Sequence, residues 1–391
     1  MSRQLIARSP DLRRLAEEGY ELDIRGGYLL VQHVPYVDGD RNVQFGELVM
    51  KLVLSGDVTA APDDHVAYLA GSQPCDRDGS PLVKIINQLV HATPAPGVSW
   101  DVMFSAKPKP TDAYPDYYAK VTTYVALLGS HAERIDEKAT ARTYRVAEEA
   151  EDDSPFLYID TATPRAGLDV MAQRLKRDRV AIVGLGGTGS YILDLVAKTP
   201  VREIHLFDGD RYLQHNAFRG PGATSVEELT GGPNKAEHWA GVYSRMRKGL
   251  VPHAYRIDAG NVGELAQMDF VFIAIDDGPS RELIVTTLEE HGVAFVDVGM
   301  GLYIAEAVGG QLRITCGQPD HPANHARLPF GQTNPENVYA RNVQIADANA
   351  LNAALAVIRW KKAWGFYADL GREGCGIYMM DTNKVINEDV A

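Results

Sequence analysis

The segment Val180-Ala-Ile-Val-Gly-Leu-Gly-Gly-Thr-Gly189 constrains the fold more than any other part of this chain. A buried strand over Val180–Gly184 runs into a glycine-rich turn, and Gly189 to Lys198 continues with helical spacing. In that setting Gly184, Gly186, Gly187 and Gly189 permit a tight turn and let backbone amides approach a phosphate at the positive end of a helix. The next predicted strand, Arg202–Phe207, ends at Asp208, where a carboxylate can accept hydrogen bonds from ribose hydroxyls. Up to this point a nicotinamide dinucleotide and a nucleoside triphosphate fit equally well.

The residues that follow separate the two. Asp210, Asn216, Arg219 and then Lys235, in Gly-Gly-Pro-Asn-Lys, place an acid, an amide and two cations after the ribose-binding acid. A dehydrogenase has no need of those cations. Arg219 and Lys235 could neutralise β- and γ-phosphates while Asn216 donates to a phosphate oxygen. A fourth apolar strand, Asp269–Ile275, ends in Asp276-Asp277. Mg²⁺ takes one or two carboxylates together with phosphate oxygens, a role that suits Asp276. ATP and Mg²⁺ are therefore the expected cofactors, and a carboxylate-activating reaction is the chemistry they point to.

Strands and helices alternate on either side of this region. A third strand is expected over His253–Ile257, a helix over Pro279–His291, a fifth strand over Ala294–Val298 and a long apolar helix over Ala348–Trp364, in the core or at a subunit interface. The fold class is α/β, a Rossmann-like, mostly parallel sheet with helices on both faces, preceded by a smaller β-rich α+β domain. In that first domain Tyr28–Pro35 and Gly46–Leu54 read as strands and Tyr114–Glu133 as an amphipathic helix. His33, His65 and His91 lack ligand spacing, and Cys75 sits in a loop. The run Glu148–Asp153 followed by Ser154-Pro155 reads as a solvated linker, giving residues 1–150 as a partner-binding or accessory domain and 151–391 as the catalytic one.

With 391 residues and a formal charge of −13, the chain can bury two or three cores and offers no basic surface for nucleic acid. It has no apolar run of about 18 residues to span a membrane and no leader-type segment. Its three cysteines form no CxxC pair, which fits a reducing cytoplasm.

The motifs resemble those of the ThiF/MoeB superfamily, to which ubiquitin-activating enzymes belong. Its pattern GxGGxG, DxDxVxxxNLxRQ, GxxK and a DN pair followed by Arg is matched by Gly184–Gly189, by Asp208 through Asn216 and Arg219 at identical spacing, by Lys235, by Asp276 and by Arg281. The match spans about residues 155–365. Gly220 replaces the family's Gln, Asp277 replaces its Asn, and the zinc-binding CxxC pairs are missing. The first domain resembles one that precedes ThiF-like domains in bacterial gene clusters encoding ubiquitin-like proteins.

The resemblance implies ATP-dependent adenylation of the carboxy-terminal glycine of a ubiquitin-like or sulfur-carrier protein, with a conjugating enzyme as a further partner. It implies catalytic roles for Arg219, Lys235 and Asp276. It also implies a homodimer in which an arginine from just before the glycine-rich strand reaches the partner's site; Arg165 is the candidate and Arg174 the alternative. Cys316, at a predicted strand end before the loop Gln318–Thr333, is the candidate nucleophile for a later thioester, against its reading as a small buried strand residue. His321 and His325 in that loop could serve it. Alternatives to the main reading are a sulfur-transfer or tRNA-modifying ThiF relative, an NAD-dependent oxidoreductase and an inactive carrier-binding scaffold.

Overall fold

The structure, a computed structural model, describes residues 2–146, 154–331 and 343–388. It divides into two compact units, Met1–Ala147 with Thr161–Gly167, and Glu148–Asp160 with Leu168–Ala391. The charge run Glu148–Asp153 lies outside the described residues. Among those described, no helix is long and apolar enough to cross a membrane.

Among the described residues, the first unit holds the helices α1 (Ser2–Arg8), α2 (Pro10–Glu17), α3 (Tyr117–Glu133) and α4 (Ala162–Arg165) and eight strands. These are β1 (Leu22–Arg25), β2 (Tyr28–Val37), β3 (Val43–Lys51), β4 (Leu54–Ser55), β5 (Val58–Thr59), β6 (Val66–Ala70), β7 (Ile86–Ala95) and β8 (Val98–Ser105). Six of them form an antiparallel sheet in the order β1-β2-β3-β6-β8-β7. In β8 Val98, Trp100, Val102 and Phe104 are buried while the residues between them are half-buried, the period of two expected of a strand with one packed face. The predicted strand Gly46–Leu54 stops at Lys51, and Leu54–Ser55 instead pairs with Val58–Thr59 in a small hairpin.

Helix α3 closes this core. Asp116 caps it by accepting from the Ala119 amide at 2.7 Å, and Tyr117, Val121, Tyr124 and Leu128 lie buried along one stripe. Two phenols in that stripe donate to backbone at strand ends, Tyr117 to the Lys51 carbonyl at 2.8 Å and Tyr124 to the carbonyl of His65, just before β6. His33, His65 and His91 bond to Glu21, Ser105 and Asp101 respectively. Cys75 is buried.

The second unit is built on an eight-stranded sheet. Its elements in chain order are α5 (Asp169–Gln173), β9 (Arg179–Val183), α6 (Gly187–Val196), β10 (Glu203–Phe207), α7 (Gln214–Ala217), α8 (Val226–Leu229), α9 (Lys235–Tyr243) and β11 (Leu250–His253). They continue with β12 (Phe270–Ile273), α10 (Gly278–Glu290), β13 (Ala294–Ile304), β14 (Val308–Gly317), α11 (Ala346–Ala363), β15 (Cys375–Met379) and β16 (Lys384–Glu388). The order is β11-β10-β9-β12-β13-β14-β15-β16. The first five strands run parallel and β14 to β16 antiparallel. The chain steps outward from β9 to β10 and β11, then returns to lay β12 on the other side of β9. The reversal leaves a crevice beyond the carboxyl ends of β9 and β12, the switch point at which ligands bind in such sheets.

Two expectations are corrected here. The third strand is Leu250–His253, because Leu250-Val-Pro is the apolar segment that pairs with Ile204 to Leu206; Tyr255 and Arg256 leave the sheet. The fifth strand extends through Ile304 and turns back, so the sheet is mixed at that end. Apolar faces explain the layering. Helices α6, α9 and α11 cover one core, and α10 with the turn Val262–Gln267 covers the other.

Helix α11 lies against α6 and β13, with Ala348, Asn349, Asn352, Ala353, Ala356, Val357 and Trp360 buried. Trp360 is fully enclosed, its ring 5.8 Å from that of Phe272 and 6.3 Å from that of Phe270. Trp360→Ala is expected to cost about 3–5 kcal/mol through lost burial and a residual cavity. Urea unfolding followed by near-ultraviolet circular dichroism measures it; an unchanged midpoint would show that the helix does not stabilise this core.

Candidate functional site

The crevice is a cavity of about 980 Å³ lined by the tips of β9, β10, β12 and β13. Its floor is the glycine turn. Gly184 has φ +89°, a left-handed conformation, and a side chain there would strike the Ala274 carbonyl of the neighbouring strand. Gly186 faces open space where a Cβ would stand, and α6 begins at Gly187, so the amino-terminal turn of that helix lines the cavity. Gly189 does not line the cavity; a Cβ there would collide with the Gly184 carbonyl, so its part is to close the turn.

Asp208 ties this turn to the next strand. Its buried carboxylate accepts from the Leu185 amide at 2.7 Å and from the Asp210 amide at 2.8 Å. Asn234 locks the segment after it, donating to the carbonyls of Asp208 at 2.8 Å and Asp210 at 3.1 Å. The same side chain caps α9 through the Ala236 amide. The cap fixes Lys235 at the first helical position, with its ammonium 2.9 Å from Asp210 and 3.7 Å from Asp208. Arg256 reaches Asp210 from beyond β11 at 2.6 Å. Burial pushes the Asp210 carboxyl up, but Arg256 and Lys235 outweigh it and hold the group below its ordinary value.

Arg219 also lines the cavity. Its Nε is buried and has no acceptor among the described residues. Burial lowers its pKa while the charge of Asp276 opposes the shift. Asn216 is placed differently. Its Oδ1 accepts from the Leu213 amide at 2.9 Å and its Nδ2 is buried without a partner, so the side chain closes the turn into Arg219 and is not in the cavity wall. Asp276 stands at the tip of β12. Asp277 caps α10 through the Ser280 amide at 2.8 Å, a bond that lowers its pKa.

Four contributors were not foreseen. Asp297, fully buried, binds Arg281 at 2.8 Å and Arg313 at 2.6 Å. Arg281 also donates to the carbonyls of Ile275 and, at 3.0 Å, Pro329, which steadies the backbone that carries Asp276. Arg256 was hidden by the misplaced third strand. Asn349 of α11 accepts from Thr188 at 3.0 Å and donates to the Arg219 carbonyl at 3.3 Å. No local pattern marks a single Asn more than 100 residues from its partners. Among the described residues, no group of three or more His, Cys, Asp or Glu side chains could hold a metal by itself.

Arg165 lies in the first unit, where it pairs with Glu17 at 3.0 Å, and Arg174 donates to the Gly365 carbonyl. Cys316 is half-buried in β14 and lines a separate cavity of about 310 Å³ with His321, Arg359 and Glu373. His325 instead pairs with Glu289 at 2.8 Å. Arg313 faces the larger cavity and Cys316 the smaller, as three steps along a strand require. Burial pushes the Cys316 thiol up to about 12, against the pull of Arg359. At pH 8 the native protein should therefore leave Cys316 unmodified by iodoacetamide over hours while the unfolded chain reacts fully. Rapid native alkylation, mapped by mass spectrometry, would show a thiolate.

Residues 161–349 match the ThiF family, and residues 10–161 match a domain of unknown function, DUF6791. No curated protein matches the chain. Among solved structures it is similar to E. coli MccB with MccA-N7isoASN, at 16% identity, 56% of this chain, 66% of that one and TM-score 0.47. It is similar to E. coli MccB with ATP at 18% identity, 59% of this chain, 68% of that one and TM-score 0.47. PaaA follows at 16% identity, 57% of this chain, 76% of that one and TM-score 0.43. The cavity-bearing part of this chain is a ThiF family domain.

Proposed function

We propose that the chain is an ATP-dependent adenylyltransferase that activates the carboxy-terminal glycine of a small ubiquitin-like or sulfur-carrier protein. The observation that carries this reading is the convergence of Gly186, Gly187, Arg219, Lys235 and Asp276 on one cavity at the switch point. The ThiF family match supports it.

The residues fit the groups involved. The open space over Gly186 admits a phosphate, the unpartnered Arg219 Nε lacks an acceptor, and Asp276 offers a carboxylate where phosphate oxygens would complete a Mg²⁺ shell. A carboxylate oxygen of the carrier attacks the α-phosphorus, the bond from that phosphorus to the bridging oxygen breaks, and pyrophosphate leaves. Charge neutralisation and alignment dominate such a step. Lys235, held on Asp208 and Asp210, and Arg219 meet the leaving phosphates, while Asp208 faces the ribose. Mg²⁺ held by Asp276 would supply further neutralisation of the pyrophosphate.

Calorimetry should show binding of ATP·Mg²⁺ and not of NAD, and Asp276→Ala should lower carrier-dependent ATP–pyrophosphate exchange by about a hundredfold or more with circular dichroism unchanged. Tight NAD binding without an ATP signal would overturn the reading, as would an active Asp276→Ala variant.

In the proposed assembly two copies pair so that Arg165 serves the opposite cavity. The outward residues Leu351 and Ile358 of α11, 38% and 40% exposed, offer an apolar contact for a two-fold interface. Mixed Arg165→Ala and Lys235→Ala subunits should regain exchange activity that neither variant shows alone. A monomer by light scattering, or no regain, would refute the shared site.

A further inference from the structure

Behind the cavity wall, five side chains form one hydrogen-bonded chain. Glu264, in the turn Val262–Gln267, accepts from the Tyr255 hydroxyl at 2.8 Å. The Tyr255 oxygen lies 2.8 Å from His253 Nδ1, His253 Nε2 lies 3.0 Å from His205 Nδ1, and His205 Nε2 lies 3.4 Å from Glu203. Among the described residues, the other charged group acting on the chain is Arg179 of β9, 3.3 Å from the same Glu203 oxygen. Both imidazoles are mostly enclosed, with side chains 14% and 16% exposed.

Proton counting fixes the arrangement. Burial, with Glu264 beside it, pushes the Tyr255 phenol up to about 12, so it stays protonated and commits its proton to Glu264. His253 Nδ1 must then donate to the phenol oxygen, which leaves Nε2 as an acceptor. His205 Nδ1 donates to that acceptor, and His205 Nε2 is left with a lone pair aimed at the Glu203 carboxylate. With both rings neutral the chain holds three protons for four contacts. One more, taken from solvent onto His205 Nε2, satisfies all of them. A second additional proton has no place, because it would set two N–H groups against each other across the 3.0 Å gap.

We propose that this chain is a proton-binding latch on the wall of the cavity: it stays closed with both rings neutral or with one added proton, and opens only when a second forces His205 and His253 apart. The wall is Phe207, which lines the cavity and stacks on His253 with ring centroids 4.0 Å apart and planes within 6°. The backbone is tied to the same ring's residue, since the Asp208 amide donates to the His253 carbonyl at 3.2 Å. Parting the histidines therefore disturbs the strand tip that carries the proposed ribose-binding acid. The latch is a property of the fold and does not depend on which nucleotide the cavity takes.

The pH dependence has a definite sign. Burial lowers both histidine pKa values, and Glu203 and Glu264 only partly restore them. The unfolded chain takes up two protons near pH 6.5 and the latch at most one, at lower pH, so stability is complete above that pH and falls below it, by about tenfold in the folding constant per unit once the latch holds its one proton. The two rings titrate as a pair.

Nitrogen-15 NMR of the nucleotide-free full chain between pH 8 and pH 5 tests the proposal. His205 Nε2 should gain the first proton, with His205 Nδ1 and His253 Nε2 moving at the same midpoint; His253 Nδ1 should stay protonated throughout, and the Phe207 ring signals should follow that midpoint. In His205→Gln, which has no second ring to ionise, the paired titration should be lost, and Phe207 should follow His253 alone at a midpoint displaced from that of the pair. Separate midpoints, two rings still neutral at pH 5, or Phe207 signals indifferent to pH would each overturn it. Failure of ATP to bind at any pH would count against the adenylyltransferase reading and leave this titration intact.

Discussion

Asp208 is the residue on which the site depends. Its carboxylate accepts amides from the glycine turn and from its own loop, so the tips of two neighbouring strands share one anion. With Lys235 3.7 Å away, the buried charge is compensated without a direct bond. A buried carboxylate lacking those donors would cost several kcal/mol. Here it becomes the fixed point from which the glycine floor and the Lys235 ammonium are placed.

The remaining charges are arranged by sharing. Asp210 serves Lys235 and Arg256, and Asp297 serves Arg281 and Arg313, so each carboxylate organises two cations. Counting Asp208, the first group is neutral, while the pair on Asp297 carries a positive excess that suits an anionic ligand. Fixed geometry matters as much as sign, because pre-set donors need no reorganisation when charge moves. Asn349 extends the order to α11, joining the amino end of α6 to the backbone of Arg219.

Much of this was legible in the sequence because it is local. The glycine turn and the spacing from Asp208 to Arg219 are written within single strand–turn–helix units, and the structure brings Asp208, Arg219, Lys235 and Asp276 to one cavity. Asn216 shows the limit of such inference, since its spacing was right but its side chain turns to the backbone. Arg256, Asp297, Arg313 and Asn349 were not legible because what unites them is sheet topology, not sequence distance. Of the antiparallel strands, only the end of β14 at Cys316 was foreseen; its start and the strands β15 and β16 escaped for a related reason. Gly309-Gly310 and the polar residues of β14 break the apolar run by which a central strand is recognised.

The pairing of β13 with β14 has one more consequence. Gly299 stands opposite Arg313, and the missing Cβ leaves room for the guanidinium to lie against the backbone and reach Asp297. A slip of one residue would turn Leu312 or Ile314 toward the cavity in place of Arg313 and bring a bulkier neighbour across from it. The charge at that end of the crevice is therefore encoded in hydrogen-bond register, and an insertion or deletion in the hairpin loop Ala305–Ala307 could erase it without altering one residue of the site.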